Sequence, residues 1–284
     1  MTAEGLRKTR REKYCGASDL KRIEVIGRDI WISCPRHQSI TKTVDNILKL
    51  KDVEPAPCML VCGEGGFGKT ALINELKMSS KDRSEAIRFM SLADNPGMLK
   101  FSDLVMSALV VPILPGRATT RALLPPDIVK YVRQSNIRAL IIDEMQSSLT
   151  VSRGEQERNL LLIKALSGAP YRLSIIAFGT SAAKNALSVD AQLSRRYEIL
   201  ELQRWTLDDE FRNFLASWEN ELPLREDSRL YRDDIAKTLL LHSNGVMDFV
   251  VKGVKWAAIQ AVLTGEEKIT KELIEKGFAT RWSY

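Results

Sequence analysis

Short apolar runs alternate with helical stretches between residues 56 and 202. This alternation is typical of a parallel β-sheet that is covered by helices. Strands are predicted at 58–62, 87–92, 139–142, 173–178 and 197–202, and helices at 69–78, 99–109, 127–134 and 155–166. Prolines and glycines break the segment 111–126, where we expect a loop because proline lacks a backbone donor and fixes φ.

The pattern changes after residue 202, where only helical segments follow. Thr206 and Asp209 have the spacing of a capping box, so a helix should begin there and run to about residue 220. Further helices are predicted at 229–242, 246–263 and 271–276. We therefore expect three parts, which are a basic flexible arm over residues 1–17, an α/β core over 18–205 and a helical lid over 206–284.

The composition is that of an ordinary globular protein. At 284 residues, with 44% hydrophobic and 27% charged residues, the chain can form one large core or a core with a smaller domain. No apolar run approaches the roughly 20 residues of a membrane-spanning helix, and the first residues lack the apolar segment of a signal peptide. Four irregularly spaced cysteines and two histidines support neither a disulfide framework nor a zinc site. We therefore expect a cytoplasmic protein without a membrane partner.

The net charge of +6 raises the question of a nucleic-acid partner. Five basic and two acidic residues stand among the first thirteen, so half of the excess lies on the predicted arm. Such an arm can contact phosphates or a partner, or it can be a solvated tail. Charge alone therefore does not identify a DNA-binding protein.

The octapeptide GEGGFGKT, residues 63–70, lies between a predicted strand and a predicted helix and fits the P-loop pattern. Its glycines let backbone N–H groups turn toward phosphates without a Cβ clash, and the helix directs its positive end toward them. Lys69 would neutralise the β- and γ-phosphates, and the Thr70 hydroxyl would bind Mg²⁺. The predicted nucleotide-binding residues are Gly63, Glu64, Gly65, Gly66, Phe67, Gly68, Lys69, Thr70 and Ala71.

Two acids, Asp143 and Glu144, follow the apolar run 139–142. They should emerge at the carboxyl end of a buried strand, where ligands of such sheets bind, and we expect this strand to neighbour the P-loop strand. Asp143 would hold the Mg²⁺ shell, and Glu144 would act as the general base on the attacking water. Together with the P-loop, this pair predicts nucleoside triphosphate hydrolysis.

Three further residues are candidates for the reaction. Thr180 ends the apolar run 173–178 and either contacts the γ-phosphate or the water, or is a plain turn residue. Arg195 and Arg196 precede the last predicted strand. Either arginine could reach the nucleotide of a neighbouring subunit and stabilise the transition state, although surface arginines are also common.

These pieces together resemble the AAA+ ATPases, whose fold is a P-loop core with a five-stranded parallel sheet and a C-terminal all-α lid. More closely, the chain resembles the TniB/TnsC family, the ATP-dependent regulators of DNA transposition. The resemblance covers roughly residues 20–275, and its matching stretches are Cys34-Pro35-Arg36, GEGGFGKT, LIIDEMQSSL, IIAFGTSAAKNAL, DAQLSRRYEILELQRW and FLASWENELPLREDSRL.

The resemblance implies a function. Members of this family oligomerise on duplex DNA in the ATP state as rings or filaments, recruit a DDE transposase and reset by hydrolysis, so ATP and Mg²⁺ are the implied cofactors and a TniQ-like targeting protein is a further partner. It makes Arg36 a nucleotide-binding candidate and implies DNA contacts after the second strand, with Lys100 first and Arg117 and Arg121 behind it.

Two departures from the family pattern stand out. Relatives often carry His two residues after the catalytic Glu, where this chain has Gln146. The segment 245–248 lacks the second sensing arginine that many AAA+ lids carry. Closure of the lid would therefore depend on packing or on Lys252. We expect weak ATP hydrolysis that DNA or a partner stimulates. A helicase loader or replication initiator, and a nucleotide-gated DNA-binding adaptor with incidental hydrolysis, remain the alternatives.

Overall fold

The computed structural model describes residues 8–50, 53–84, 86–93, 95, 97, 99–109, 124 and 127–279. The strands are β1 (Cys58–Cys62), β2 (Ala86–Ser91), β3 (Ile137–Asp143), β4 (Ser174–Gly179) and β5 (Tyr197–Glu201). The helices are α1 (Arg10–Tyr14), α2 (Asp19–Gly27), α3 (Pro35–Lys49), α4 (Lys69–Ser79), α5 (Phe101–Ala108), α6 (Asp127–Gln134), α7 (Gln146–Leu149), α8 (Arg153–Ser167), α9 (Ser181–Ser188), α10 (Ala191–Ser194), α11 (Asp209–Glu219), α12 (Asp233–Ser243), α13 (Met247–Thr264) and α14 (Lys271–Ala279). Apart from Leu124, the predicted loop at 111–126 lies outside the described residues.

The five strands form one parallel sheet in the order β2-β3-β4-β1-β5. All residues of β1 and β4 are buried, as expected for central strands of a sheet with helices on both faces. The predicted α/β class with five parallel strands is confirmed. The expectation that the P-loop strand and the Asp-Glu strand are neighbours is wrong, because β4 lies between β1 and β3.

The described chain divides into two compact units. The first comprises Met1–Pro35, Gly66–Gly68 and Gln203–Tyr284, and the second comprises Arg36–Gly65 and Lys69–Leu202. The second unit holds the sheet and a core of aliphatic side chains from its strands and from α5, α6 and α8. Each unit therefore buries its own apolar cluster.

The first unit is helical, and an aromatic stack lies in its core. Trp205 stacks on Phe214 with ring centroids 5.1 Å apart, and Phe211 and Trp218 pack around them. The helices α12, α13 and α14 pack on this cluster, and no strand follows residue 202 within the described chain.

The N-terminal segment differs from the flexible arm that we expected over residues 1–17. Thr9 and Glu12 form a capping box that starts α1, and Arg11 pairs with Asp227 at 2.7 Å. The guanidinium of Arg10 donates to the carbonyl of Asp29 at 2.7 Å. Arg10 and Arg11, which the sequence analysis assigned to a flexible arm, therefore bind protein groups of the first unit. Residues 1–7 lie outside the described chain.

The start of α11 also differs from the prediction. The N-cap is Asp208, whose carboxylate accepts the backbone N–H of Phe211 at 2.8 Å, while Thr206 donates its hydroxyl to Asp208 at 2.7 Å. A carboxylate is an equally good cap acceptor, so the helix begins two residues later than the hydroxyl at Thr206 indicated.

The stretch FLASWENELPLREDSRL has a structural role in this unit. The carboxylate of Glu219 accepts the backbone N–H groups of Arg229 at 2.8 Å and Leu230 at 2.9 Å. The hydroxyl of Ser228 accepts the N–H of Ile269 at 2.8 Å. Glu219 thus closes the segment between α11 and α12, and Ser228 ties that segment to the connection between α13 and α14, so the residues that mark the resemblance build the helical unit.

No helix in the described part of the chain is long and apolar enough to cross a membrane.

Candidate nucleotide-binding site

The segment GEGGFGKT connects β1 to α4 with the geometry of an anion cradle. Gly66 and Gly68 have φ values of +80° and +88°, which disfavour residues with a Cβ. Within the described chain, the backbone N–H groups of residues 64–68 donate to no protein acceptor. Five backbone donors in one turn before a helix N-terminus fit a phosphate group.

Lys69 is buried, and its ammonium lies against this loop. Its Nζ donates to the carbonyl of Gly63 at 2.6 Å and to that of Glu64 at 3.0 Å. A buried ammonium held at the start of the loop is placed to neutralise phosphate oxygens. Thr70 and Ala71 follow in the exposed first turn of α4, where a threonine hydroxyl can also bind Mg²⁺.

The tip of the loop, Gly66–Gly68, belongs to the first unit and contacts the start of α13 there. The backbone N–H of Asp248 donates to the carbonyl of Gly66 at 2.9 Å. Asp248 also pairs with Lys252 at 2.6 Å, so the lysine that we considered as a substitute for a sensing arginine has a partner in this structure. Phe67 is buried, with the Arg204 guanidinium 6.0 Å from its ring centroid.

Asp143 and Glu144 lie at the carboxyl end of β3, as the sequence predicted. The carboxylate of Asp143 accepts the backbone N–H of Glu144 at 2.9 Å, and Glu144 has a left-handed φ of +55°. Burial raises the pKa of the Asp143 carboxyl, and the hydrogen bond from Glu144 partly offsets this effect. A half-buried carboxylate at a strand end suits a divalent cation with oxygen ligands, so Asp143 fits Mg²⁺.

Thr180 follows β4, and its backbone N–H donates to the side chain of Gln146 at 3.2 Å. The amide nitrogen of Gln146 donates in turn to the carboxylate of Glu144. The structure thus connects two of the predicted site residues through a third that the sequence marked only as a departure from relatives. The spacing of Glu144 and Gln146 gives no sign of this contact, because the partner on β4 is 34 residues away.

The two candidate finger arginines differ in their surroundings. Arg196 is half-buried and donates to the carbonyl of Lys164 at 3.0 Å and to the hydroxyl of Ser167 at 2.8 Å. Arg195 is exposed and makes no hydrogen bond or ion pair with any described residue. Only Arg195 therefore presents an uncommitted guanidinium on the surface of this segment.

Two further predicted residues, Arg36 and Lys100, lie at the starts of helices. Arg36 is half-buried in the first turn of α3, and its role in nucleotide binding stays a prediction. Lys100 is exposed at the N-cap of α5. Arg117 and Arg121 lie outside the described residues.

A parallel sheet in the order β2-β3-β4-β1-β5, with a P-loop after β1 and two acids after β3, defines a P-loop protein of the AAA+ ATPase fold. The particular family follows from the sequence. The chain belongs to the TniB family, because the model of the bacterial TniB protein matches residues 22–207. No curated protein matches the chain.

Solved structures with this fold include three archaeal proteins. The Aeropyrum pernix ORC2 protein, in ADPNP-ADP complexes, has a TM-score of 0.60 and 16% identity over 91% of this chain and 71% of that chain. Cdc6p from Pyrobaculum aerophilum has a TM-score of 0.60 and 16% identity over 89% of this chain and 69% of that chain. The Aeropyrum pernix ORC1 protein in complex with DNA has a TM-score of 0.59 and 14% identity over 90% of this chain and 68% of that chain.

Proposed function

We propose that the protein is a cytoplasmic ATPase that regulates DNA transposition, assembling on duplex DNA with ATP and resetting by hydrolysis. The observation that carries this proposal is the P-loop with five free N–H groups together with the Asp143–Glu144 pair on the same sheet of a TniB family chain. The P-loop supports nucleotide binding, the acids support hydrolysis, and the family supports the link to transposition.

The site residues take distinct roles in this proposal. Lys69 and the backbone of residues 63–71 bind the phosphates of ATP, with Arg36 as a further nucleotide contact. Thr70 and Asp143 hold Mg²⁺, which neutralises charge on the phosphates when it is bound. Glu144 accepts a proton from the attacking water, and Thr180 contacts the γ-phosphate or that water.

Hydrolysis also requires a second subunit in this proposal. An exposed arginine without a partner can reach a nucleotide in a neighbouring copy of the chain, so Arg195 is the better candidate for the finger, and Arg196 has a role in its own subunit. The helical segment 206–284 acts as a lid, and the oligomer is a ring or a filament. We expect weak turnover that DNA or a partner stimulates.

The proposed partners are duplex DNA, a DDE transposase and a TniQ-like targeting protein. The DNA contacts are Lys100, Arg117 and Arg121, since basic side chains that contact phosphates supply most of the affinity for a duplex. A solved structure of the same fold, the Aeropyrum pernix ORC1 protein, is in complex with DNA, which supports DNA as a partner.

The test is electron microscopy of the chain with duplex DNA and a slowly hydrolysed ATP analogue, alongside ATP turnover. We expect rings or filaments that need both ligands, and we expect Glu144→Gln to form them while losing turnover by roughly 10²-fold or more. Lys69→Ala is the control, because it removes phosphate binding and should give neither assembly nor turnover. Monomers under all conditions would contradict the assembly. If Glu144→Gln left both ATP turnover and the disassembly of the DNA-bound oligomer unchanged, Glu144 would not be the base and the adaptor alternative would be favoured.

A further inference from the structure

Gln146 is the first residue of α7, and its side-chain amide lies between two groups of the candidate site. Its nitrogen donates to the carboxylate of Glu144, and its oxygen accepts the backbone N–H of Thr180 at 3.2 Å. The ionised carboxylate can only accept, and the N–H can only donate. An amide therefore satisfies both partners in one orientation, which neither a lysine nor a glutamate could do.

The backbone around this amide is held in place on both sides. The N–H of Met145 donates to the carbonyl of Phe178 at 2.9 Å, which ties the residue before Gln146 to β4. The side-chain amide of Asn159 donates to the carbonyl of Ser148 at 2.7 Å, which ties the end of α7 to α8. Because the backbone is fixed, the Gln146 side chain holds a defined position between its two partners.

The end of β4 leaves room for the amide because residue 179 is glycine. A Cβ at Gly179 would lie 2.9 Å from the side-chain oxygen of Gln146 and 2.9 Å from the Cβ of Ala183. Both distances are shorter than a normal van der Waals contact. A glycine at this position thus allows the side chain of Gln146 to approach the N–H of Thr180.

We propose that Gln146 is a positioning residue for ATP hydrolysis, which holds the carboxylate of Glu144 and ties its orientation to Thr180 at the end of β4. This inference rests on the proposed function, in which Glu144 is the general base and Thr180 contacts the γ-phosphate or the water. A movement of Thr180 with the γ-phosphate would then be transmitted to the carboxylate of Glu144 through the side chain of Gln146. The P-loop residues make no hydrogen bond with Gln146 in the described chain, so we expect the affinity for nucleotide to depend only weakly on this bridge.

The experiment compares four full-length chains, which are wild type, Gln146→Met, Gln146→His and Gln146→Glu, with Mg²⁺–ATP and duplex DNA. Methionine keeps the length of glutamine and removes both hydrogen bonds. Neutral histidine keeps one donor and one acceptor nitrogen, and glutamate keeps the acceptor but places a second negative charge beside Glu144.

We expect Gln146→Met and Gln146→Glu to lower kcat roughly 10- to 100-fold, since a displacement of about 1 Å at a catalytic group costs on this order. KM and the affinity for an ATP analogue should stay within about twofold of wild type, because the P-loop is unchanged. Histidine should restore kcat to within about threefold of wild type, since it can make both bonds. A purely structural role would instead lower the unfolding temperature and affect binding and turnover together.

The inference is overturned if Gln146→Met keeps the wild-type kcat, or if histidine is as slow as methionine. A second measurement separates this outcome from a failure of the proposed function. In nuclear magnetic resonance spectra of the nucleotide-free chain, the Thr180 amide signal should shift in Gln146→Met, and the Gln146 side-chain amide signals should shift in Glu144→Ala. If wild type hydrolyses no ATP, the proposed function fails, and unshifted signals would show independently that the bridge is absent.

Discussion

At the scale of single residues, the ionised carboxylate of Asp143 is less stable in the folded protein than in water. Burial raises its pKa from the ordinary value of 3.8, and the hydrogen bond from Glu144 offsets only part of that rise. A carboxyl with a raised pKa in the folded state binds its proton more tightly there than in the unfolded chain. Its ionisation therefore lowers stability once the pH is above the unfolded value.

Asp143→Asn should stabilise the nucleotide-free protein at pH 7, because the amide is neutral and its oxygen can still accept the Glu144 N–H. We expect an unfolding temperature about 1–3 °C above wild type, measured by circular dichroism without nucleotide. The difference should shrink as the pH falls through the raised pKa, since the wild-type carboxyl then becomes neutral too. In Mg²⁺–ATP the proposed metal site predicts the reverse order, because a carboxylate binds Mg²⁺ more tightly than a neutral amide. A less stable Asn variant at pH 7 without nucleotide would contradict this account.

The two adjacent arginines give a second prediction at this scale. Arg195→Ala should keep wild-type stability, because the side chain is exposed and unpaired, but should lower the turnover of the DNA-bound oligomer roughly 10³-fold. Arg196→Ala should lose about 1 kcal/mol of stability, because the hydrogen bonds to the Ser167 hydroxyl and the Lys164 carbonyl are lost, while that carbonyl keeps the N–H of Gly168. Urea unfolding and steady-state turnover measure the two effects separately.

A mixing experiment tests whether Arg195 acts on a neighbouring subunit. Glu144→Gln assembles and supplies the arginine but does not hydrolyse ATP, and Arg195→Ala keeps the base Glu144 but lacks the arginine. A mixture of the two should recover part of the turnover that neither shows alone. No recovery, with oligomers present by electron microscopy, would mean that Arg195 does not act in trans.

At the scale of elements, the start of α11 is set by one carboxylate. Asp208→Ala should cost about 1 kcal/mol, because it removes the acceptor for the Phe211 N–H, and Asp208→Asn should cost much less because it keeps one. Thr206→Ala should cost under about 0.5 kcal/mol, since that hydroxyl contacts only the cap side chain. The urea midpoints of the three variants give this order, and a Thr206→Ala variant as unstable as Asp208→Ala would contradict it.

The elements also explain which parts of the fold and site were readable in the sequence. The apolar runs predicted all five strands to within about two residues. The three central strands, β3, β4 and β1, must be apolar on both faces, and the edge strands β2 and β5 still carry enough apolar residues to mark them. The P-loop and the acids after β3 depend on local spacing, so they were found as well. The position of β4 between β1 and β3, the cap at Asp208 and the bridge through Gln146 depend on contacts or choices that spacing does not encode.

At the scale of the whole molecule, a buried ion pair joins the two ends of the chain within the first unit. Arg22 on α2 donates to both carboxylate oxygens of Glu267, at 2.6 Å and 2.7 Å, and to Asp19 at 2.8 Å. The side chains of Arg22 and Glu267 are 1% and 10% exposed. Arg22 looks like one more surface arginine in the sequence. Among the described residues of this unit it is the most deeply buried charged side chain, and its partner Glu267 is 245 residues away in the sequence.

Arg22→Met should cost about 3 kcal/mol, because the buried Glu267 carboxylate loses both hydrogen bonds from Arg22 and keeps the more exposed Arg225 as its ion partner. The hydrogen bonds from Arg22 lower the pKa of Glu267 below its ordinary value of 4.5, so this contribution is fully present above pH 4.5 and is lost as the pH falls through the lowered pKa. Wild type should therefore lose stability on acidification below pH 4.5, whereas Arg22→Met should lose less there. Urea midpoints between pH 3 and pH 7 measure both slopes.

Arg22→Met combined with Glu267→Met is the matched control, because removing both charges should recover most of the loss at pH 7. Parallel acid slopes for wild type and Arg22→Met would mean that another carboxylate sets the acid stability of the chain.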